Sequence, residues 1–76
     1  MQGGDTVCNY IYLRIGNSVV NVNKIQKISG VTKINMSVVG WTMMVEADGR
    51  DPEEIVKEIQ EKGINLLNYR ILRGRT

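Results

Sequence analysis

Apolar residues recur along this chain at two spacings, and the order of those spacings leaves few folds open. From Val7 to Ile15 the spacing is two: Val7, Asn9, Ile11, Leu13 and Ile15 fall on one side, and Cys8, Tyr10, Tyr12 and Arg14 on the other. That is the pattern of a half-buried strand, and Gly16-Asn17-Ser18 ends it with turn chemistry. The spacing then becomes three, with Val19, Val22, Ile25 and Ile28 set among Asn, Lys and Gln. It predicts a short amphipathic helix, capped by Asn17 or Ser18 and stopped by Gly30. Over Val31–Val38 the spacing returns to two, as Thr32, Ile34, Met36 and Val38 alternate with Lys33, Asn35 and Ser37. Beyond a turn at Val39-Gly40, Trp41, Met43, Val45 and Ala47 alternate with Thr42, Met44 and Glu46. These two runs are read as a β-hairpin.

Asp51-Pro52-Glu53-Glu54 marks a second helix. Asp51 caps it, Pro52 takes the first helical position, Glu54 completes a capping-box pattern, and the acids complement the positive end of the helix dipole. Ile55, Val56 and Ile59 form its apolar stripe, and Glu53–Lys57 and Glu58–Lys62 are favourable i,i+4 pairs. Gly63 supplies the stop, and Ile64 packs back on the helix end. Residues 64–72 form a last strand, in which the adjacent Leu66 and Leu67 signal a bulge or a shift of face. Residues 1–6 read as a flexible leader, 7–73 as one domain, and 74–76 as a fraying tail.

The resulting order, β-α-β-β-α-β, is the α+β ferredoxin-like arrangement. Right-handed crossovers put both helices on one face of a four-stranded antiparallel sheet, with the first and third strands central. At 76 residues there is room for one such domain. A domain this small buries only about 60% of its unfolded surface, so assembly is a natural source of further stability.

Counting excludes much chemistry. The chain has no histidine and a single cysteine, Cys8, which removes disulfide frameworks, zinc cages and His-dependent triads. Copper chaperones of this fold carry Cys-x-x-Cys in the first strand–helix loop, where this chain has Gly16-Asn17-Ser18-Val19-Val20. Asp48-Gly49-Arg50-Asp51 lacks the ligand spacing of a calcium loop, and no phosphate-cradling GxxxxGK is present. The acids of 46–61, seven against Arg50 and Lys57, read as a solvated helix face with lysine neighbours rather than a paired acid and base. No catalytic residue, metal ligand or cofactor is expected. No apolar run is long enough to cross a membrane, and without a signal-peptide pattern the cytoplasm is the expected location.

Attention therefore falls on the sheet face that the helices leave open. Tyr10, Tyr12 and Arg14 point outward from a central strand, Met44 joins them from the third strand, and Lys33, Asn35 and Ser37 from the second. The last strand adds either Leu66, Asn68, Arg70 and Leu72, or Leu67, Tyr69 and Ile71. Such a surface is more apolar than a monomer ordinarily exposes. Three readings are open: idle surface tyrosines, a homodimer interface, or a platform for single-stranded RNA. RNA-binding modules of this fold carry aromatics on both central strands, whereas the third strand here offers Thr42 and Met44. The homodimer, or a higher even-numbered oligomer, is the leading expectation. Gly40 and Trp41 mark the hairpin, with Trp41 an anchor of core or interface. Nucleic-acid contact through the face and Arg70, Arg73 and Arg75 is the alternative.

Residues 25–59, from Ile25-Gln26-Lys27-Ile28-Ser29-Gly30-Val31 through Val39-Gly40-Trp41 to Asp51-Pro52-Glu53-Glu54-Ile55, resemble the effector-binding (RAM-type) module of the Lrp/AsnC transcription regulators, which also occurs free-standing. The resemblance implies dimerisation through the sheet, further assembly, and an amino-acid-like effector held between subunits. The family's hairpin often reads glycine, any residue, an aromatic, then aspartate; here Gly40 is followed by Trp41, Thr42 and Met43. Tyr12-Leu13-Arg14-Ile15 and Ile34-Asn35-Met36 also resemble the regulatory domain of methionine-import ATPases. The expectation is a non-enzymatic regulatory module without a helix-turn-helix, with Arg14 as the carboxylate partner of an effector.

Overall fold

The computed structural model describes residues 8–74. The expected leader at 1–6, Val7 and the end of the tail, Arg75 and Thr76, lie outside the described residues. The elements are β1 (Cys8–Ile15), α1 (Ser18–Gln26), β2 (Val31–Met36), β3 (Met43–Asp48), α2 (Pro52–Glu61) and β4 (Leu66–Arg73). They form one antiparallel sheet in the order β2-β3-β1-β4, the ferredoxin-like topology, with β1 and β3 central and β2 and β4 at the edges.

Alternation sorts the sheet residues as the sequence requires. Ile11, Leu13 and Ile15 of β1 and Met43, Val45 and Ala47 of β3 are buried against Ile25 and Ile28 at the first helix and Ile55, Val56 and Ile59 of the second. Ile64 closes the core behind Gly63. Burying a side chain of this kind contributes about 1.5–3 kcal/mol.

The first helix differs from its expected form. A strict three-residue repeat drifts by about 60° per step around a 3.6-residue helix, so Val19 cannot share a face with Ile28. Val19 is 78% exposed, and the buried pair is Asn21 and Ile25, one turn apart. Asn17 occupies the N-cap in the left-handed region (φ 52°) and makes no side-chain capping bond. Instead Asn21 Nδ2 donates to the Gly16 carbonyl at 2.9 Å, fixing the helix start from inside. The helix ends at Gln26, and Gly30, at φ +95°, turns the chain into β2.

The second helix starts as expected, with Glu53 N–H donating to Asp51 Oδ1 at 3.0 Å and Pro52 at the first position. Glu54 does not complete a capping box; its carboxylate lies 3.6 Å from Arg50 Nε. The Glu58–Lys62 pair forms at 3.9 Å, whereas Glu53 pairs with Arg73 at 3.6 Å rather than with Lys57.

The hairpin is wider than a two-residue turn. β2 stops at Met36 and β3 starts at Met43, because Ser37 (φ 61°) and Gly40 (φ 78°) both leave the extended region. Ser37 N–H donates to Thr42 O at 2.6 Å, Trp41 N–H to Val38 O at 2.8 Å, and Thr42 N–H to Leu13 O at 2.9 Å. Trp41 is therefore a loop residue, released from the alternation of β3.

Candidate functional site

The strand registers build the open face row by row. One row reads Asn35, Met44, Tyr12 and Arg70 across β2, β3, β1 and β4, and the next reads Lys33, Glu46, Tyr10 and Leu72. Arg14 stands opposite Asn68 in a third row. Between Arg14 and Ile15 the β1–β4 register skips Leu67, so the bulge foreseen at the leucine pair is present. That extra residue decides the face of the last strand. Asn68, Arg70 and Leu72 share the face of Tyr10, Tyr12 and Arg14, while Leu66 and Ile71 pack against the core. The two alternatives read from the sequence are thus divided at the bulge, with Leu66 on the helix side.

Trp41 comes to this face from its loop. Its ring centroid is 6.2 Å from that of Tyr12, tilted at 57°. The Arg14 guanidinium carbon lies 5.1 Å from the Trp41 ring centroid, and Arg14 Nη2 also donates to the Gly40 carbonyl. Arg14 thereby fixes the wall that Trp41 forms, a cation–π contact worth about 0.5–1 kcal/mol at an exposed site. Tyr12, Trp41, Arg70 and Leu72 line a hollow of about 190 Å³, open to solvent on one side. Arg70 has no acidic partner among the described residues. Among the described residues the face carries Arg14, Lys33 and Arg70 against one acid, Glu46, which stands opposite Lys33 and across Tyr10 from Leu72.

The structure brings Tyr12, Trp41 and Arg14 together, with Gly40 supplying a carbonyl to Arg14, and places Met44 beside Tyr12. Tyr10 sits one row away. Of the two described arginines named for nucleic acid, Arg70 is on this face and Arg73 is not. Arg73 stands opposite Asn9 in the register and lies 3.8 Å from Asp51 and 3.6 Å from Glu53 at the start of α2. Arg75 lies outside the described residues. Sequence reasoning did not foresee that Arg70 and Leu72 join Tyr12 in one hollow; the leucine pair was the signal for it.

A second cluster lies on the helix side. Arg50 Nη1 is 2.8 Å from Glu58 Oε1 and donates to the Ser29 carbonyl at 3.0 Å. The hydrogen bond to Glu58 holds the Arg50 guanidinium above its ordinary pKa; desolvation opposes the shift, and the charges of Glu58 and Glu54 add to it. These contacts tie the α1–β2 turn to α2. Among the described residues no group of three His, Cys, Asp or Glu side chains could hold a metal ion, and no helix is long and apolar enough to cross a membrane.

No family model matches the chain, and no curated protein matches it. Among solved structures the fold is similar to that of the crystal structure of MtbAldR (Rv2779c), an Lrp/AsnC-family regulator, with a TM-score of 0.60 and 8% sequence identity over 88% of this chain. The chain spans 50% of the length of that structure. At this identity the likeness is one of fold, and it agrees with the resemblance read from residues 25–59 at that coarse level.

Proposed function

We propose that the chain is a non-enzymatic regulatory module that homodimerises through its open sheet face and holds a small anionic metabolite where two copies meet. The observation that carries this reading is the hollow lined by Tyr12, Trp41, Arg70 and Leu72 on a face no helix covers. Tyr, Trp, Met and Arg are the side chains enriched at interfaces, since each combines a large apolar surface with a polar or adaptable end. The fold likeness to an Lrp/AsnC-family regulator is in keeping with a regulatory role. Within this reading Arg70 is the anion contact, and Arg14 holds the Trp41 wall.

The test is solution mass by size-exclusion chromatography with light scattering at micromolar concentration. The expected mass is twice 8.6 kDa, or a higher even multiple. Tyr12→Asp, and the Tyr10→Ala/Tyr12→Ala double change, are expected to give a folded monomer, because both residues lie on the face and outside the core. A wild-type monomer, or a double variant that remains dimeric, removes the reading. A monomer that binds RNA with an affinity falling steeply with salt gives the face to nucleic acid instead.

A further inference from the structure

We infer that the hollow takes a flat or aromatic monocarboxylate carrying no ammonium group, its carboxylate on Arg70 and its apolar body against Trp41, Tyr12 and Leu72. The inference rests on the proposed dimer, in which a second copy closes the open side of the hollow.

The lining sets the class. Two aromatic rings tilted at 57° and one leucine present apolar surface to a ligand body, and a flat body gains most from ring faces and edges. Among the described residues Arg70 is the one charged group in the lining, and its planar fork matches a carboxylate in two parallel hydrogen bonds. A volume of about 190 Å³ admits a single ring with a short acidic arm rather than a nucleotide.

The same lining argues against a zwitterion. Among the described residues no carboxylate borders the hollow, and Glu46, the acid described on this face, is set off behind Tyr10 and opposite Lys33. Asp51 and Glu53 engage Arg73 at the start of α2. An α-ammonium group entering here loses water, finds no counter-ion among the described lining residues, and meets Arg14 and Arg70 nearby. This preference departs from what the family resemblance implies, and it comes from the residues themselves.

The test uses three probes that share one phenyl-bearing skeleton: 3-phenylpropanoate, its neutral amide 3-phenylpropanamide, and L-phenylalanine. Binding to the full chain is followed by the fluorescence of Trp41, the chain's single tryptophan, and by calorimetry, with light scattering on the same samples. 3-Phenylpropanoate is expected to bind saturably and perturb Trp41, with the amide and L-phenylalanine each weaker by about tenfold or more. Arg70→Gln, an exposed strand position, is expected to lose about tenfold for the carboxylate and little for the amide. Arg70→Lys is expected to fall between, because it keeps the charge and loses the fork. L-phenylalanine binding as tightly as 3-phenylpropanoate overturns the inference, as does an Arg70→Gln variant that binds undiminished. A dimer that binds no 3-phenylpropanoate overturns the ligand class alone. A monomer that binds with the stated preferences overturns the dimer alone, and a monomer that binds nothing overturns both.

Discussion

A single methyl group separates the two glycines that flank β2. At Gly30 (φ +95°) an added Cβ would lie 2.9 Å from Arg50 Cβ, whereas at Gly40 (φ +78°) nothing lies within 4 Å. Gly40→Ala is expected to cost about 1 kcal/mol, the strain of the left-handed region. Gly30→Ala carries that strain and also pushes Arg50 off Ser29 and Glu58, so about 2–3 kcal/mol is expected. Urea unfolding of the two variants checks the difference, and equal losses would show that Arg50 yields without cost. Arg50 itself stays charged at neutral pH. Its raised pKa gives a contribution fully present below the ordinary value and lost only as pH climbs through the raised one. Neither set of its contacts was read in the sequence: Glu54 was assigned to a capping box and Glu58 to Lys62, and the Ser29 contact spans 21 positions between two helices' ends. The sequence left Trp41 as an anchor of core or interface. Extending the alternation of Met43, Val45 and Ala47 back through Thr42 gives it the core parity, and nothing local announced that Ser37 and Gly40 would end the ladder and bring its ring beside Tyr12.

At the scale of elements, the two helices differ in how they are held. α2 buries Pro52, Ile55, Val56 and Ile59 and has a side-chain cap, whereas α1 buries only Asn21 and Ile25 and has none. Amide hydrogen exchange is therefore expected to be faster over the first turn of α1 than over α2; equal protection would mean that the Asn21–Gly16 bond suffices as a cap. Asp51→Ala removes the cap bond to Glu53 N–H and one of Arg73's two acidic partners. A loss of about 1 kcal/mol is expected, chiefly from the cap, because the exposed ion pair contributes little; thermal unfolding measures it. The caps and stops of α2 were legible because they are local chemistry: Asp before Pro, Gly after Lys62. The face of the last strand was not, since a bulge reads as two adjacent leucines until the partner strand shows which residue is skipped.

For the whole molecule, the order of spacings was enough to define the topology, since right-handed crossovers leave one sheet order for two strand-helix-strand halves. The hollow was legible in part. Tyr12 follows from parity, but Arg70 and Leu72 join it only through pairing across the bulge, and Trp41 through a loop. Among the nucleic-acid candidates, Arg73 shares the parity of Ile71, which sends it to the helix side and its acids. If two copies share the open face, the melting temperature of the chain should rise with protein concentration over the micromolar range. A concentration-independent melt, read by circular dichroism, would leave the protomer stable by itself. The loop from Ser37 to Thr42 is pinned by backbone bonds to its own ends and to Leu13, while Val39 at its tip is 94% exposed. It acts as a bracket anchored by main chain and by the Arg14 bond to Gly40, with an exposed outer tip. A dye carried on the side chain at Val39 would thus sit near the Trp41 wall and leave the backbone bonds that hold it in place, making the tip the natural handle for reporting on the hollow.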